Sequence, residues 1–284
     1  MKNLKVYYQL AKPGIVYSNV LSAIAGFLMM TKSSIDFGLL LAVVFGITLV
    51  IASACVFNNY LDRDFDSKMD RTKRRALVTG LISNRDALIY ATNLGILGFL
   101  VLGFFTNGLT VLVGIIGYVD YIVLYGLAKR RSNYSTIIGS VSGSASLVAG
   151  YVALSDSIDT TAVLLFFIMV FWQMAHFHAI ALRRVNDYRS AGINVLPIVK
   201  GEDGTKFVIK MYVIGFAMSS TLLFVVGDVG YIYLLTMLVL CWLWLSKSQI
   251  EYQDNKEWAR VMFKFSLYVL MIFCSLLILN PILP

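Results

Sequence analysis

Apolar residues fall in long blocks, and the short segments between them hold almost all of the charge. The blocks run for about 18 to 24 residues, close to the ~20 that an α-helix needs to cross the hydrocarbon of a bilayer. Nine spans are predicted, over 14–30, 37–60, 87–105, 109–127, 135–154, 161–182, 207–226, 231–245 and 261–279, the eighth being short. Nothing alternates with period two over the about ten residues of a transmembrane β-strand. The pattern therefore predicts an all-α fold, a polytopic membrane helical bundle of about nine transmembrane helices. No Pro/Ser-rich linker divides it, so 1–284 reads as a single integral-membrane domain. Two polar segments are long, at 61–86 and 183–206. Each follows a span running the same way, and four spans separate them, which hints at two related helical halves.

Composition supports this class. Of 284 residues, 58% are hydrophobic and only 14% charged, against roughly a quarter charged in a soluble domain; the mean hydropathy is +0.76. The basic residues set the orientation. With the N-terminus cytoplasmic, the inward segments hold Lys2, Lys5 and Lys12, Arg63 through Arg85, Lys129, Arg130 and Arg131, Arg183 through Lys206, and Lys247, Lys256 and Arg260. The outward segments hold Lys32 alone, beside Asp36, Asp156, Asp159 and Asp228. This is the positive-inside asymmetry. It accounts for the net charge of +8 without a nucleic-acid partner. A short basic stretch precedes the first span with no evident cleavage site after it, so a prokaryotic plasma membrane is expected. Cys55, Cys241 and Cys274 lie far apart inside apolar runs and read as packing residues.

The chemistry concentrates in the two long polar segments. Asn58, Asp62 and Asp66 are spaced i, i+4, i+8 at the end of the second span, which on a helix stacks three oxygen ligands on one face. Carboxylates this dense at a membrane boundary suit a hard cation such as Mg²⁺. The cations that follow (Arg71, Lys73, Arg74 and Arg75) suit an anionic substrate, with Arg71 and Lys73 nearest the acidic cluster, although topology alone would also place them there. Together they suggest a diphosphate handled at the membrane surface, its charge neutralised by a Lewis acid. In the sixth span, His176, Arg183 and Asp187 fall within about 20° of one face if the helix continues that far. A histidine in hydrocarbon is costly, and His176 is read as a substrate contact, with imidazole able to ligate haem iron. His178 points the opposite way and is read as hydrogen-bonded to a neighbouring helix. Arg183, Arg184 and Asp187 could complete a second diphosphate or metal contact. Tyr125 and Lys129 close the fourth span on the inner side, within reach of a phosphate. Asp120, well inside that span, is either functional or tied to a nearby tyrosine or serine. The small residues at 139–146 read as a close helix-packing face.

Asn58, Asp62 and Asp66 in a nine-span bundle resemble the UbiA superfamily of intramembrane prenyltransferases. More narrowly, NNYLDRDFDSKMDRTKRRALVTG, WQMAHFHAIAL and DYRSAGINVLPIVKG resemble the protohaem IX farnesyltransferases, with YYQLAKPGIVYSN and LAKRRSNYSTIIGS fitting as well. The likeness covers about residues 7–201. It implies transfer of farnesyl from farnesyl diphosphate to a vinyl group of haem b, with addition of water, giving haem O. It also implies Mg²⁺ on Asn58, Asp62 and Asp66, haem at His176, Lys129 as the basic residue closing span four, and Arg184 and Asp187 on the second motif. Quinone-precursor enzymes carry a richer second aspartate motif, so the resemblance leaves more of the diphosphate to Arg184 and Lys129. A haem A synthase accepting the product is the implied protein partner. The alternatives are UbiA-type prenylation of an aromatic or quinone precursor and, from another class, a cation-coupled transporter. Acidic density at the inner edge instead of mid-membrane argues against transport.

Overall fold

The computed structural model describes residues 2–31, 34–132 and 134–282. Lys32 of the orientation argument lies outside them, as do the side chains of Lys2 and Arg130. The described residues contain helices and no strands. Eight helices are long and apolar enough to cross a membrane, and a shorter ninth opens the bundle, so the nine predicted spans are all present. The shortest of them is the first, not the eighth.

The chain enters through a short helix that the apolar pattern did not predict, α1 (Lys2–Leu10), before α2 (Pro13–Met29) and α3 (Phe37–Leu61). A single turn, α4 (Arg63–Asp66), and a chain of turns lead to α5 (Asn84–Phe105). Next come α6 (Gly108–Val119), a π-helical turn over Asp120–Leu124, and α7 (Tyr125–Arg131), which together make the fourth span. Then follow α8 (Ser135–Ser155), α9 (Thr160–Arg183), the short α10 (Val185–Ser190) and α11 (Leu196–Val199), and finally α12 (Gly201–Val225), α13 (Tyr231–Gln249) and α14 (Asn255–Leu279). Consecutive spans pack side by side, and α14 returns to α2, so the helices close a ring. The ring's outer face carries exposed Phe45, Leu97, Ile116, Leu235, Trp242 and Tyr268, apolar surface that a bilayer satisfies and water would not.

Inside the ring, α2 packs directly on α8. Glycine makes that approach possible. A Cβ on Gly150 would lie 1.9 Å from the Ala23 carbonyl oxygen, and one on Gly26 would lie 2.1 Å from that of Leu147. Small residues are what let membrane helices approach; the stretch 139–146 expected to do this lies earlier on α8, where Gly139 and Gly143 instead meet the Tyr125 and Gln173 side chains and line the central cavity. At one end of the bundle the short connections are tied by polar contacts. Asp36 and Asp159 cap α3 and α9, Tyr151 Oη donates to Asp159 at 2.8 Å, and Asn280 donates to the Asp228 carbonyl at 2.9 Å. At the other end the two long polar segments meet. Met69, Ala181, Ala191, Ile193 and Val195 form a small apolar cluster with Phe65 and Tyr188, and Ser190 Oγ donates to the Lys68 carbonyl at 2.9 Å. These segments close over the mouth of the ring.

Candidate active site

Regular α geometry fails at Asp62 (φ −88°, ψ 0°). Even so, the Asp62 amide donates to Asn58 O at 2.9 Å and the Asp66 amide to Asp62 O at 2.8 Å. The i, i+4, i+8 stack therefore survives the break. All three side chains are buried, and all three line a cavity of about 480 Å³ within the ring.

Each of the three is met by a cation. Lys129 Nζ lies 2.7 Å from Asp62 Oδ2, the two side chains only 10% and 6% exposed. Arg75 Nη1 lies 2.5 Å from Asp66 Oδ2. Lys12 Nζ donates to Asn58 Oδ1 at 2.5 Å. Arg71 also lines the cavity. Four cations thus face two carboxylates, an excess of positive charge that draws an anion into the pocket. Lys12 reaches its position through a left-handed backbone (φ 52°, ψ 66°), which costs a non-glycine residue about 1–3 kcal/mol and is often held at functional sites. Burial pushes its amine down to about 8; Arg75 adds to the fall, and Asp62 and Asp66 oppose it.

The π-helical turn shapes the facing wall. The Tyr125 amide donates to Asp120 O, the i→i+5 bond of a wider turn, a feature frequent at functional sites. Tyr121, Tyr125 and Lys129 then share the cavity side. The two tyrosine rings stack at 5.7 Å and 8°, and Lys129 Nζ lies 5.9 Å from the Tyr125 ring centre. Asp120 itself is buried and accepts the Ser142 amide at 3.1 Å, so it is tied to a serine.

The second predicted constellation does not form one face. α9 stops at Arg183, and Arg184 (φ −118°, ψ 25°) turns the chain into α10. His176 lines the cavity, but Arg183, Arg184 and Asp187 do not, and Tyr188 takes that place. The Arg183 guanidinium sits 5.7 Å from the Phe263 ring centre. Lys73 is also corrected: it pairs at 2.6 Å with the exposed Asp70, because the turns after Asp66 carry it outward and bring Arg75 in. His178 faces away from His176, as its spacing predicts, and packs on Tyr212 at 5.9 Å. The expected hydrogen bond is absent, for its Nδ1 has no partner among the described residues; the neighbouring helix offers a ring face instead of a polar group.

Several lining residues were not singled out from sequence. Lys12 carried only a topological reading, although a lysine directly before Pro13 at a span's edge was a signal. Tyr121 and Gln173 are polar residues within spans, which marks them for attention. Gln173 Nε2 donates to Ser140 O at 3.1 Å and Ser144 Oγ at 3.0 Å, pressed against the backbone at Gly143.

Whether the site fits magnesium is decided by its donors. Among the described residues, no three His, Cys, Asp or Glu side chains cluster as a metal cage. Magnesium seldom uses one; it takes one or two carboxylates, waters and substrate phosphates. Asn58, Asp62 and Asp66 offer that oxygen set on the cavity wall; Asp187 Oδ2, without a hydrogen-bond partner among the described residues, lies outside that lining. The residues fit the ion.

Comparisons with known proteins bear on the same segments. Residues 19–268 match the UbiA prenyltransferase family. A protoheme IX farnesyltransferase of Sodalis glossinidius is 47% identical over 268 residues, spanning 93% of this chain and 90% of that protein. Its counterpart in Cronobacter sakazakii is 46% identical over 267 residues, with the same coverage. Among solved structures, a digeranylgeranylglyceryl phosphate synthase superposes with a TM-score of 0.81 at 21% identity, covering 99% of both chains. A UbiA homolog from Archaeoglobus fulgidus bound to GPP and Mg²⁺ superposes with a TM-score of 0.73 at 15% identity, covering 96% of this chain and 99% of that one. At those identities the structures establish the fold, and the family match and the sequence relatives establish the rest: this chain belongs to the UbiA prenyltransferase family.

Proposed function

We propose that the protein transfers a farnesyl group from farnesyl diphosphate to a vinyl group of haem b (protohaem IX), with addition of water, giving haem O and diphosphate. The observation that carries this reading is the cavity itself. Its polar end holds Asn58, Asp62 and Asp66 with Lys12, Arg71, Arg75 and Lys129, and its apolar wall holds His176 and Trp172. One end suits a diphosphate and the other a large, flat, apolar acceptor. The relatives named protoheme IX farnesyltransferase make haem the acceptor of choice.

Asn58, Asp62 and Asp66, which line the cavity together, would hold the magnesium ion. When bound, the ion acts as a Lewis acid on the leaving diphosphate. Lys129, Lys12, Arg71 and Arg75 bind the diphosphate oxygens and stabilise the charge that gathers there as the C1–O bond breaks. Both bonding electrons leave with that oxygen. The allyl cation forms in an apolar pocket, where the Tyr121, Tyr125 and Trp172 faces attract positive charge and bulk water is excluded. The haem vinyl group then supplies the electron pair of the new C–C bond, and water adds to the remaining cationic carbon and loses a proton. His176 positions haem. Lys73, Arg183 and Arg184 stand outside the cavity wall and carry no role in it. The protein sits in a prokaryotic plasma membrane with this site toward the cytoplasm, and a haem A synthase consumes the product.

The test is product formation. Membranes carrying the protein, given haem b, farnesyl diphosphate and Mg²⁺, should yield haem O by mass spectrometry. Haem recovered unchanged, with a quinone precursor prenylated in its place, would overturn the assignment.

A further inference from the structure

His176 is held by a relay that fixes which nitrogen it presents to the cavity. Its Nδ1 lies 2.7 Å from Ser266 Oγ on α14. That oxygen also lies 2.6 Å from the Phe263 carbonyl, and the arrangement that makes both contacts hydrogen bonds directs its one hydrogen there. A carbonyl can only accept, so the Ser266 oxygen is left to accept from Nδ1–H. The tautomer follows from this network: the proton sits on Nδ1, and Nε2 carries a lone pair. Nε2 has no hydrogen-bond partner among the described residues, and His176 lines the cavity.

The relay is itself anchored. The Ser266 carbonyl accepts the Trp172 indole N–H at 2.7 Å, and Trp172 stacks on the His176 ring at 4.9 Å and 19°. Phe263 packs on the ring at 4.9 Å. Ser266 is fully buried, so neither water nor a second donor competes for its oxygen. Flipping the ring loses the Ser266 contact, and moving the proton to Nε2 turns the Ser266 hydrogen onto Nδ1 and loses its bond to Phe263, each worth about 0.5–1.5 kcal/mol. Metal-binding histidines are held in the same way, their second nitrogen donating to a fixed acceptor.

We infer that Ser266 is a positioning residue for the acceptor substrate: it locks His176 as the Nδ1–H tautomer and so offers Nε2 as an axial ligand to the iron of haem b. The inference rests on the haem reading above. It adds that recognition uses the iron as well as the porphyrin, and that a serine on the last span controls it.

The test is a titration of the purified, detergent-solubilised protein with ferric haem, followed in the Soret and magnetic circular dichroism spectra. Metal-free protoporphyrin IX, followed by fluorescence, runs in parallel. Wild type should show an imidazole-ligated haem spectrum. Ser266→Ala should lose or shift that signature and weaken haem binding about tenfold, the low end for such outer partners, while protoporphyrin IX affinity stays unchanged. Ser266→Thr, which keeps the hydroxyl, should restore the ligated spectrum. An equal loss for haem and protoporphyrin IX would mean a merely structural role and would overturn the inference. So would an imidazole-ligated spectrum that persists in Ser266→Ala. Failure of wild type to bind haem, with farnesyl diphosphate still bound, would overturn the haem reading and this inference with it. Wild-type haem binding with no imidazole signature would overturn this inference alone.

Discussion

Replacing Lys129 by Met and Asp62 by Asn, singly and together, separates what the buried ion pair does for the fold from what it does for the chemistry. The pair is 2.7 Å long and nearly solvent-free. Removing one partner of such a pair costs about 3–5 kcal/mol, because the survivor is left buried and uncompensated. In both single variants the remaining neighbours soften that loss. In Asp62→Asn the lone ammonium still has the Phe65 and Tyr125 rings at 5.7 and 5.9 Å, which soften the loss toward about 3 kcal/mol. In Lys129→Met the Asp62 carboxylate still has the Lys12 charge nearby, so this cost also lies toward about 3 kcal/mol. The double variant leaves no orphan charge and should come within about 1.5 kcal/mol of wild type, since a neutral replacement of a buried pair is often tolerated. Unfolding of the detergent-solubilised proteins, without substrate, measures all four. Product formation should not follow stability: each variant should fall by about a hundredfold or more, the equivalent of roughly 3 kcal/mol in a barrier. A double variant destabilised by the sum of the singles, or one that regains activity along with stability, would refute the reasoning.

Arg75→Leu should lower kcat/KM by about a hundredfold, because it strips Asp66 of its partner inside the cavity, whereas Lys73→Leu should stay within about twofold of wild type as an exposed pair contributes little; initial rates at varied farnesyl diphosphate decide between them. Lys12→Met removes one of the four cations that face the anion, and the KM for farnesyl diphosphate should rise about tenfold, the worth of one charge-assisted hydrogen bond; an unchanged KM would remove Lys12 from the binding site. Gly150→Val drives a side chain into the Ala23 carbonyl, so the purified protein should lose at least about 1–3 kcal/mol of stability by the overpacking penalty, and unaltered unfolding would contradict the α2–α8 packing.

The fold was legible because each span must satisfy its own backbone and its length is set by the bilayer. Boundaries moved mainly at the polar ends, where α5, α12 and α14 start at Asn84, Gly201 and Asn255, ahead of their apolar runs. Asn58, Asp62 and Asp66 were legible because their spacing is local and belongs to one helix. Arg75 and Lys73 could not be ranked, since the turns after Asp66 decide which of them faces inward, and those turns depend on packing against Ala191 and Ile193 of a distant segment. Asp187 was placed by extending α9 past its true end. Lys12 and Ser266 were hidden for another reason. A lysine at a span's edge is explained by topology, and a serine in a span by a bond to its own helix. Only the arrival of Asn58 and His176 from other helices gives these residues a second meaning.

Everything proposed for the reaction depends on Asn58, Asp62 and Asp66 acting through a divalent cation on a diphosphate inside the ring. The decisive measurement is haem O formed by purified protein from haem b and farnesyl diphosphate, with Mg²⁺ and then with excess chelator, for wild type and Asp62→Asn. Product should appear only with wild type and Mg²⁺, and should return when the ion is restored. Product formation at the wild-type rate under chelation, or from Asp62→Asn, would contradict it.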